Sequence, residues 1–312
     1  MRLATLSVDL DELDCYAAIY GMEAPAEELA PVYERAVPRY EALLDELGIR
    51  ATFFAIGRDL RRAPVAREAV RRLHKNGHEL ANHSLDHRYD FSRLSRAQIA
   101  REVRGGADVI EDACGARPVG FRAPGYTISD EVFDVLEAEG VLYDSSVFPC
   151  PAYYGAKTAA IAAIGLRART GSGAESHSIV DTPNVLRAPA DPYRVGRPYW
   201  TRGDGLIELP IGVTRGPRLP FIGTSVVLGS QASADMLARG MIGRPLVNFE
   251  LHGVDLADRI DDPVGGLGQR LPELRRRAAH KANTIRTVVR RLQAAGYRFV
   301  TTAEAARAFA AN

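Results

Sequence analysis

The amino-acid sequence predicts an α/β fold in which about eight parallel strands close into a barrel. Strand-length runs alternate with helical apolar stripes along most of the 312-residue chain. Residues 51–57, with the sequence ATFFAIG, form a continuous apolar run of the kind that suits a parallel strand buried on both faces. Polar and charged residues directly follow several predicted strands, which is where parallel barrels carry their active sites.

The predicted strands and helices follow one another in a regular order. Helical spacing of apolar residues predicts a helix that ends at Gly48, and Ser95 with Gln98 forms a capping box that begins another. A longer apolar stripe predicts a helix closed by Gly296, and Thr301 is expected to cap the final helix. The strands are predicted at residues 6–11, 51–57, 78–83, 119–124, 141–146, 206–211, 246–252 and 298–301.

The sequence predicts one domain over residues 1–312, with an irregular insertion at about 150–205. This segment is rich in Pro, Gly, Tyr and Ala, and the polar residues 170–173 lie in its middle. Residues 12–36 are expected to form a loop with one short helix. Two domains would be an ordinary expectation for this length, but α/β barrels of this size fold as single units.

The composition is that of an ordinary globular protein, with 46% hydrophobic and 25% charged residues. Forty basic and 39 acidic residues give a net charge of +1, so neither nucleic acid nor a membrane surface is an expected partner. Three widely spaced cysteines fit a reducing compartment. No apolar stretch is long enough to predict a transmembrane segment, and Asp9 interrupts the first apolar run too early for a signal peptide. A cytoplasmic location is therefore predicted.

Two histidines four positions apart, His83 and His87, are the first candidates for metal ligands. On a helical turn this spacing places both imidazoles on one face, where they can share an ion with a third ligand. Near the N-terminus, Asp9 and Asp11 point to one face of a predicted strand because side chains alternate along it. Histidine pairs with this spacing also occur on protein surfaces, and Asp-x-Asp also occurs in solvated turns. Neither pattern alone therefore identifies a metal site.

Six polar residues fall at or just after the C-terminal ends of predicted strands. These ends meet at one edge of a parallel barrel, so the six side chains are expected to converge on one site. They are Asp9, Asp11, His83, His87, Arg122 and His252.

Four short motifs contain these residues: Ser7-Val8-Asp9-Leu10-Asp11, His83-Ser84-Leu85-Asp86-His87, Arg122-Ala123-Pro124-Gly125 and Leu251-His252. In this order they resemble the motifs of the polysaccharide deacetylase family, the NodB homology enzymes of carbohydrate esterase family four. The separated aspartates resemble the family's cytoplasmic Asp-x-Asp branch. The resemblance covers about residues 1–150 and 206–305. It implies a distorted (β/α) barrel of seven to eight parallel strands.

The resemblance also implies a role for each motif residue. Asp11, His83 and His87 are expected to hold a divalent metal. Asp9 is expected to act as the general base, and His252 as the acid that protonates the departing amine. A carboxylate and two imidazoles that leave one position open favour Zn²⁺, although Co²⁺, Ni²⁺ or Fe²⁺ would also fit.

Four further residues are expected to support the chemistry. Arg122 would pair with the base and orient it, with a structural salt bridge as the alternative. A backbone N–H near Gly125 or Tyr126 would stabilise the oxyanion. Asp144 is the candidate carboxylate beside the acid histidine, where it would raise the histidine pKa.

The expected function is a metal-dependent hydrolase that removes an N-acyl group, acetyl or formyl, from an amino sugar or a sugar-containing small molecule or lipid. One alternative is a hydrolase of cyclic amides or other non-peptide C–N bonds, as in allantoinase-like members of the family. Another is a non-catalytic carbohydrate-binding barrel. The family's Trp-containing motif is missing, and Tyr143-Asp144-Ser145-Ser146 stands in its place, so the sugar-facing wall is not recognisable. A homo-oligomer is compatible with the sequence.

Overall fold

A computed structural model describes residues 2–22, 30–169, 178–180 and 182–311 of the chain. Within these residues one sheet contains nine strands. The strands are β1 (Leu3–Asp9), β2 (Thr52–Ala55), β3 (Glu79–Asn82), β4 (Gly120–Phe121), β5 (Tyr143–Asp144), β6 (Tyr193–Val195), β7 (Arg202–Glu208), β8 (Leu246–His252) and β9 (Arg298–Phe299).

Helices connect most of the strands, as the alternation in the sequence predicted. A π-helical turn (Val32–Ala36) leads into the second of them, and short 3₁₀ turns follow several strands. The helices are α1 (Leu13–Tyr20), α2 (Val37–Leu47), α3 (Gly57–Arg62), α4 (Pro64–Lys75), α5 (Arg96–Cys114), α6 (Asp130–Ala138), α7 (Pro151–Arg169), α8 (Gly223–Val227), α9 (Gln231–Met241), α10 (Leu267–Arg270), α11 (Ala278–Ala294) and α12 (Thr302–Ala310).

The sheet curls into a distorted barrel, which confirms the predicted fold class. Its strand order is β6-β7-β5-β4-β3-β2-β1-β8, with β9 beside β1, and all pairs are parallel except β6 with β7. The barrel closes between β7 and β8 through individual hydrogen bonds. The Gly212 N–H donates to the Asn248 carbonyl (3.0 Å), and the Asn248 side-chain amide donates to the Leu209 carbonyl (3.0 Å).

Alternation along β1 decides what faces the barrel interior. Leu6 and Val8 join the apolar core shared with the surrounding helices. Thr5 and Ser7, on the other face, make hydrogen bonds inside the barrel, to Asn248 and from Arg122. The whole strand is buried, so both faces are covered, as expected for a parallel barrel. Asp9 therefore enters the interior at the end where the strand stops.

Several predicted helix boundaries are confirmed. Gly48 ends α2 with a φ of 64°, a left-handed conformation that glycine adopts without a Cβ clash. Capping boxes begin α5 at Ser95 and α12 at Thr301. The single short helix expected in residues 12–36 corresponds to α1, although the π-helical turn after it was not expected.

The segment at 150–205 is more regular than predicted. Helix α7 occupies its first part, and β6 pairs with β7, which begins at Arg202 rather than at residue 206. Alanine, a strong helix former, recurs through α7, but the sequence there has no polar–apolar alternation that would indicate a buried stripe. The expected polar stretch at 170–173 lies outside the described residues. The extent of the single domain stays a prediction.

Candidate active site

The two N-terminal carboxylates lie at the C-terminal end of β1, inside the barrel mouth. Asp9 is the last residue of the strand and Asp11 follows it by two positions. Both are at most 5% exposed. Buried carboxylates are costly unless they are paired or bind a cation, so the partners of these two residues define the site.

His83 and His87 lie in the loop that follows β3. The prediction that they occupy a helical turn is therefore wrong. Ser84 and His87 adopt positive φ angles of 68° and 51°, and the His87 N–H donates to the Ser84 hydroxyl (3.0 Å). The loop folds back on itself through this hydrogen bond, and both imidazoles reach Asp11.

Gly106 in α5 leaves room for this loop because it has no side chain. A Cβ added to Gly106 would lie 2.3 Å from the Asn82 side-chain oxygen and 2.8 Å from the Ser84 backbone carbon. Both distances are shorter than any ordinary contact, so the helix and the histidine loop depend on the missing side chain at this position.

The Gly106→Ala variant is expected to unfold more easily, by about 1–3 kcal/mol, because overpacking of this kind displaces backbone. Urea denaturation measures the difference. The control is Gly155→Ala in α7, where no atom lies within 4 Å of the added Cβ. Removing an exposed helical glycine there should stabilise the protein by about 0.5–1 kcal/mol. Equal stability of the two variants would contradict the packing argument.

Asp11, His83 and His87 form a compact set of metal-ligand atoms. Asp11 Oδ1 lies 3.3 Å from His83 Nε2, and Asp11 Oδ2 lies 3.3 Å from His87 Nε2. Ligands about 2.0 Å from a tetrahedral ion are separated by about 3.3 Å. Among the described residues, Asp11 Oδ1 and His87 Nε2 are buried without a hydrogen-bond partner. The three residues therefore fit a divalent metal.

The hydrogen bond of His83 and the burial of His87 favour metal binding. His83 Nδ1 lies 2.7 Å from the Arg122 carbonyl, which only accepts, so Nδ1 carries the proton and Nε2 presents a lone pair. Burial lowers the pKa of His87 and so favours the neutral, ligating imidazole. Burial disfavours ionisation of Asp11, but the two imidazoles lower its pKa well below the usual value.

Arg122 holds Asp9 in place. The arginine is fully buried, and its Nη1 lies 2.5 Å from Asp9 Oδ1. Its Nη2 donates to the hydroxyls of Ser7 and Ser145, both at 3.0 Å, and Nε donates to the Ser145 carbonyl. Within the described chain, the second Asp9 oxygen makes no hydrogen bond and lies 3.9 Å from His83 Nε2. Burial raises the pKa of Asp9 although the Arg122 charge lowers it, so the carboxylate has an increased affinity for a proton.

His252 faces Asp9 across the neighbouring strands. The two residues are register partners in β1 and β8, so they end their strands side by side. His252 Nδ1 lies 2.9 Å from Glu250 Oε1, and Glu250 is completely buried. Burial disfavours the imidazolium, but the Glu250 charge raises the pKa of His252 well above its usual range. The Glu250 carboxylate therefore favours the protonated form of the histidine.

The turn after β4 brings Gly125 and Tyr126 to the same cavity. Both residues have positive φ angles, 58° and 60°. The Tyr126 N–H donates to the Ala123 carbonyl (3.0 Å), so that donor is already engaged. Of the two predicted oxyanion donors, the Gly125 N–H is the better candidate.

Tyrosines surround a cavity of about 280 Å³ that opens onto Asp9, Asp11, His83 and His252. Two of its wall residues, Tyr153 and Lys157, belong to α7, and they were missed because that helix was not predicted. The tyrosines in the wall are Tyr16, Tyr20, Tyr89, Tyr126 and Tyr153.

Comparison with known proteins agrees with this arrangement. A family model described as polysaccharide deacetylase matches residues 30–143. Over these residues the chain matches the polysaccharide deacetylase family. The matched region of the deacetylase family includes both histidines and Arg122, whereas Asp9, Asp11 and His252 lie outside it.

Relatives of the deacetylase family share a limited part of the chain. A segment of 113 residues is 34% identical to the peptidoglycan deacetylase-like protein FGM2 of Gibberella zeae, covering 36% of this chain and 32% of that protein. Over 83 residues the chain is 39% identical to a chitooligosaccharide deacetylase of Bradyrhizobium, covering 26% and 36%. The aligned region thus spans about a third of the length of these curated relatives.

One solved structure matches the chain over nearly its full length. A crystal structure described as a candidate polysaccharide deacetylase from Mycobacterium smegmatis covers 98% of this chain and is itself 90% covered. The TM-score is 0.60 and the sequence identity 19%, a likeness that concerns the fold alone. In the part of the chain that the structure describes, no helix is both long and apolar enough to cross a membrane.

Asp144 is not the partner of His252, and that expectation is wrong. Its carboxylate accepts hydrogen bonds from the Ser146 N–H (2.9 Å) and hydroxyl (2.8 Å), and it lies opposite Glu208 across β5 and β7. The partner is Glu250, which sequence reasoning missed. The signal was present, because residues two positions apart on a strand share a face and Glu250 precedes His252 by two.

Proposed function

We propose that the chain is a metal-dependent hydrolase that removes an N-acetyl or N-formyl group from an amino sugar or a sugar-containing small molecule or lipid. The observation that carries this proposal is the placement of two proton-transfer groups, Asp9 and His252, side by side in one cavity next to the three candidate metal ligands. Hydrolysis of an amide needs both a base and an acid, because an amine departs only when it is protonated.

Asp11, His83 and His87 would hold the metal. A divalent ion in this set supplies Lewis-acid activation of a water molecule and of the amide carbonyl. Zn²⁺ suits two imidazoles and a carboxylate, and Co²⁺, Ni²⁺ and Fe²⁺ are compatible with the same ligands.

Asp9 acts as the general base. One of its oxygens is fixed by Arg122, so the other faces the candidate metal ligands and can accept a proton from the attacking water. Arg122 positions the carboxylate and does not touch the substrate, since its donors are already engaged by Asp9, Ser7 and Ser145.

His252 acts as the general acid. Its Nδ1 is held by Glu250, so Nε2 is the nitrogen left to donate a proton to the departing amine. The Gly125 N–H would donate to the oxyanion that forms at the amide carbonyl. An intact base and acid distinguish this chain from a non-catalytic carbohydrate-binding barrel. The cytoplasmic location expected from the sequence remains part of this proposal.

The proposal is tested by measuring release of acetate or formate from a panel of N-acylated amino sugars. Chelation should remove most of the activity, and added Zn²⁺ or Co²⁺ should restore it. The proposed role of the candidate ligands is to hold the metal that the reaction needs. Cyclic ureides serve as the competing substrates. Hydrolysis of ureides without hydrolysis of any N-acylated sugar would contradict the proposal.

Metal analysis of two variants completes this test. His83→Ala should bind little metal, whereas His74→Ala, which replaces an exposed histidine on α4, should bind as much as the parent protein. Full activity in His83→Ala would also exclude the proposed mechanism.

A further inference from the structure

The cavity beside Asp9 and His252 is walled by segments that follow six different strands of the barrel. In sheet order these strands are consecutive except at β2, after which no described residue lines the cavity, and the Gly212–Asn248 hydrogen bond joins the two ends of the series. The wall therefore surrounds most of the cavity and does not form the two sides of a groove. Its members are Tyr16 and Tyr20 after β1, Tyr89 after β3, Tyr126 after β4, Tyr153 and Lys157 after β5, Thr224 after β7, and Glu273 after β8.

Direct contacts join neighbouring parts of this wall. The Tyr89 hydroxyl donates to the Cys15 carbonyl (3.1 Å), which ties the loop after β3 to α1. Lys157 Nζ donates to the Gly125 carbonyl (2.9 Å), which ties α7 to the turn after β4. The Tyr153 and Tyr126 rings pack with their centres 5.7 Å apart. A polymer strand crossing the mouth at these points would have to break the contacts.

The size of the cavity leads to the same conclusion. Pockets for small molecules usually measure about 300–1,000 Å³, and this one, at about 280 Å³, lies at the lower limit of that range. Such a volume suits one sugar ring with its acyl group and leaves no room for neighbouring rings on both sides. Tyrosine rings in the wall offer apolar faces together with hydroxyl groups, which suits a sugar.

We infer that the site accepts a single N-acylated sugar unit, either free or at the end of a chain, and excludes internal units of a polysaccharide. Tyr153 of α7 determines this specificity, because its ring lies in the cavity wall packed against Tyr126. The inference rests on the proposed function and adds the size of its substrate.

The test uses the metal-loaded full chain with N-acetylated and N-formylated monosaccharides and with chitotetraose labelled with ¹⁸O at its reducing end. Mass spectrometry locates each unit that loses its acyl group. The expected result is hydrolysis of monosaccharides or of one terminal unit, at least tenfold faster than of internal units. Faster hydrolysis of internal units would overturn this inference alone. No hydrolysis of any sugar would overturn the proposed function, and the inference with it.

A matched pair of variants tests the role of α7. Tyr153→Ala should raise the ratio of internal to terminal hydrolysis at least tenfold, because it opens the wall. Thr158→Ala replaces an exposed residue of the same helix that does not line the cavity, and it should leave the ratio unchanged. This ratio does not depend on the fraction of folded enzyme. An unchanged ratio in Tyr153→Ala would mean that α7 does not determine the specificity of the site.

Discussion

The Asp9→Asn variant is expected to lose about 10²–10⁴-fold in kcat while keeping its metal, because removal of a general base has an effect of this size. The asparagine amide has nearly the shape of the carboxylate, and its oxygen can still accept the hydrogen bond from Arg122. It cannot accept a proton at neutral pH. Kinetics on the best N-acylated sugar and elemental analysis of the purified protein measure the two quantities separately.

Two other aspartates make this experiment decisive. Asp11→Asn should lose both metal and activity, because Asp11 touches both imidazoles of the candidate metal set. Asp108→Asn, at an exposed position paired with Arg117, should lose neither. A metal-free Asp9→Asn variant would make Asp9 a ligand, and a fully active one would leave the reaction without its proposed base.

The parallel barrel explains why the site residues could be predicted from the sequence. Asp9, His83, Arg122 and His252 lie at or directly after the ends of β1, β3, β4 and β8. Parallel strands end at the same edge of a barrel, so residues far apart in the chain meet there whatever the local details. Strand periodicity was also used to place Asp9 and Asp11 on one face, but β1 ends at Asp9 and Asp11 lies two residues beyond the strand.

Other features depend on contacts that a single sequence does not reveal. The loop carrying His83 and His87 takes its shape from two positive φ angles and from the space at Gly106. Helix α7 lacks the amphipathic pattern by which buried helices are recognised. Asp144 was chosen because it lies at a strand end as the site residues do, but its side chain bonds to Ser146, and Glu250 is the carboxylate beside His252.

Glu250 carries the second large prediction, because a buried carboxylate beside an imidazole stabilises the charged ring. The general acid must be protonated, so kcat should fall as the pH rises through the pKa of His252. Glu250 raises that pKa well above its usual value, so the fall is expected at a higher pH than an ordinary histidine would give. In Glu250→Gln the pKa drops towards about 6.5, the ordinary histidine value.

The alkaline limb of the kcat profile should therefore move to lower pH in Glu250→Gln. For each pH unit by which the limb moves, kcat of the variant falls about tenfold relative to the parent at a pH above both limbs. Near pH 5.5 the loss in kcat is smaller. In contrast, Asp144→Asn should leave the limb where it is, because Asp144 has no contact with His252. The position of a limb is independent of how much enzyme is folded, so weak stability in either variant does not obscure the result. An unmoved limb in Glu250→Gln would mean that the alkaline pKa belongs to another group, and His252 would then no longer be the proposed acid.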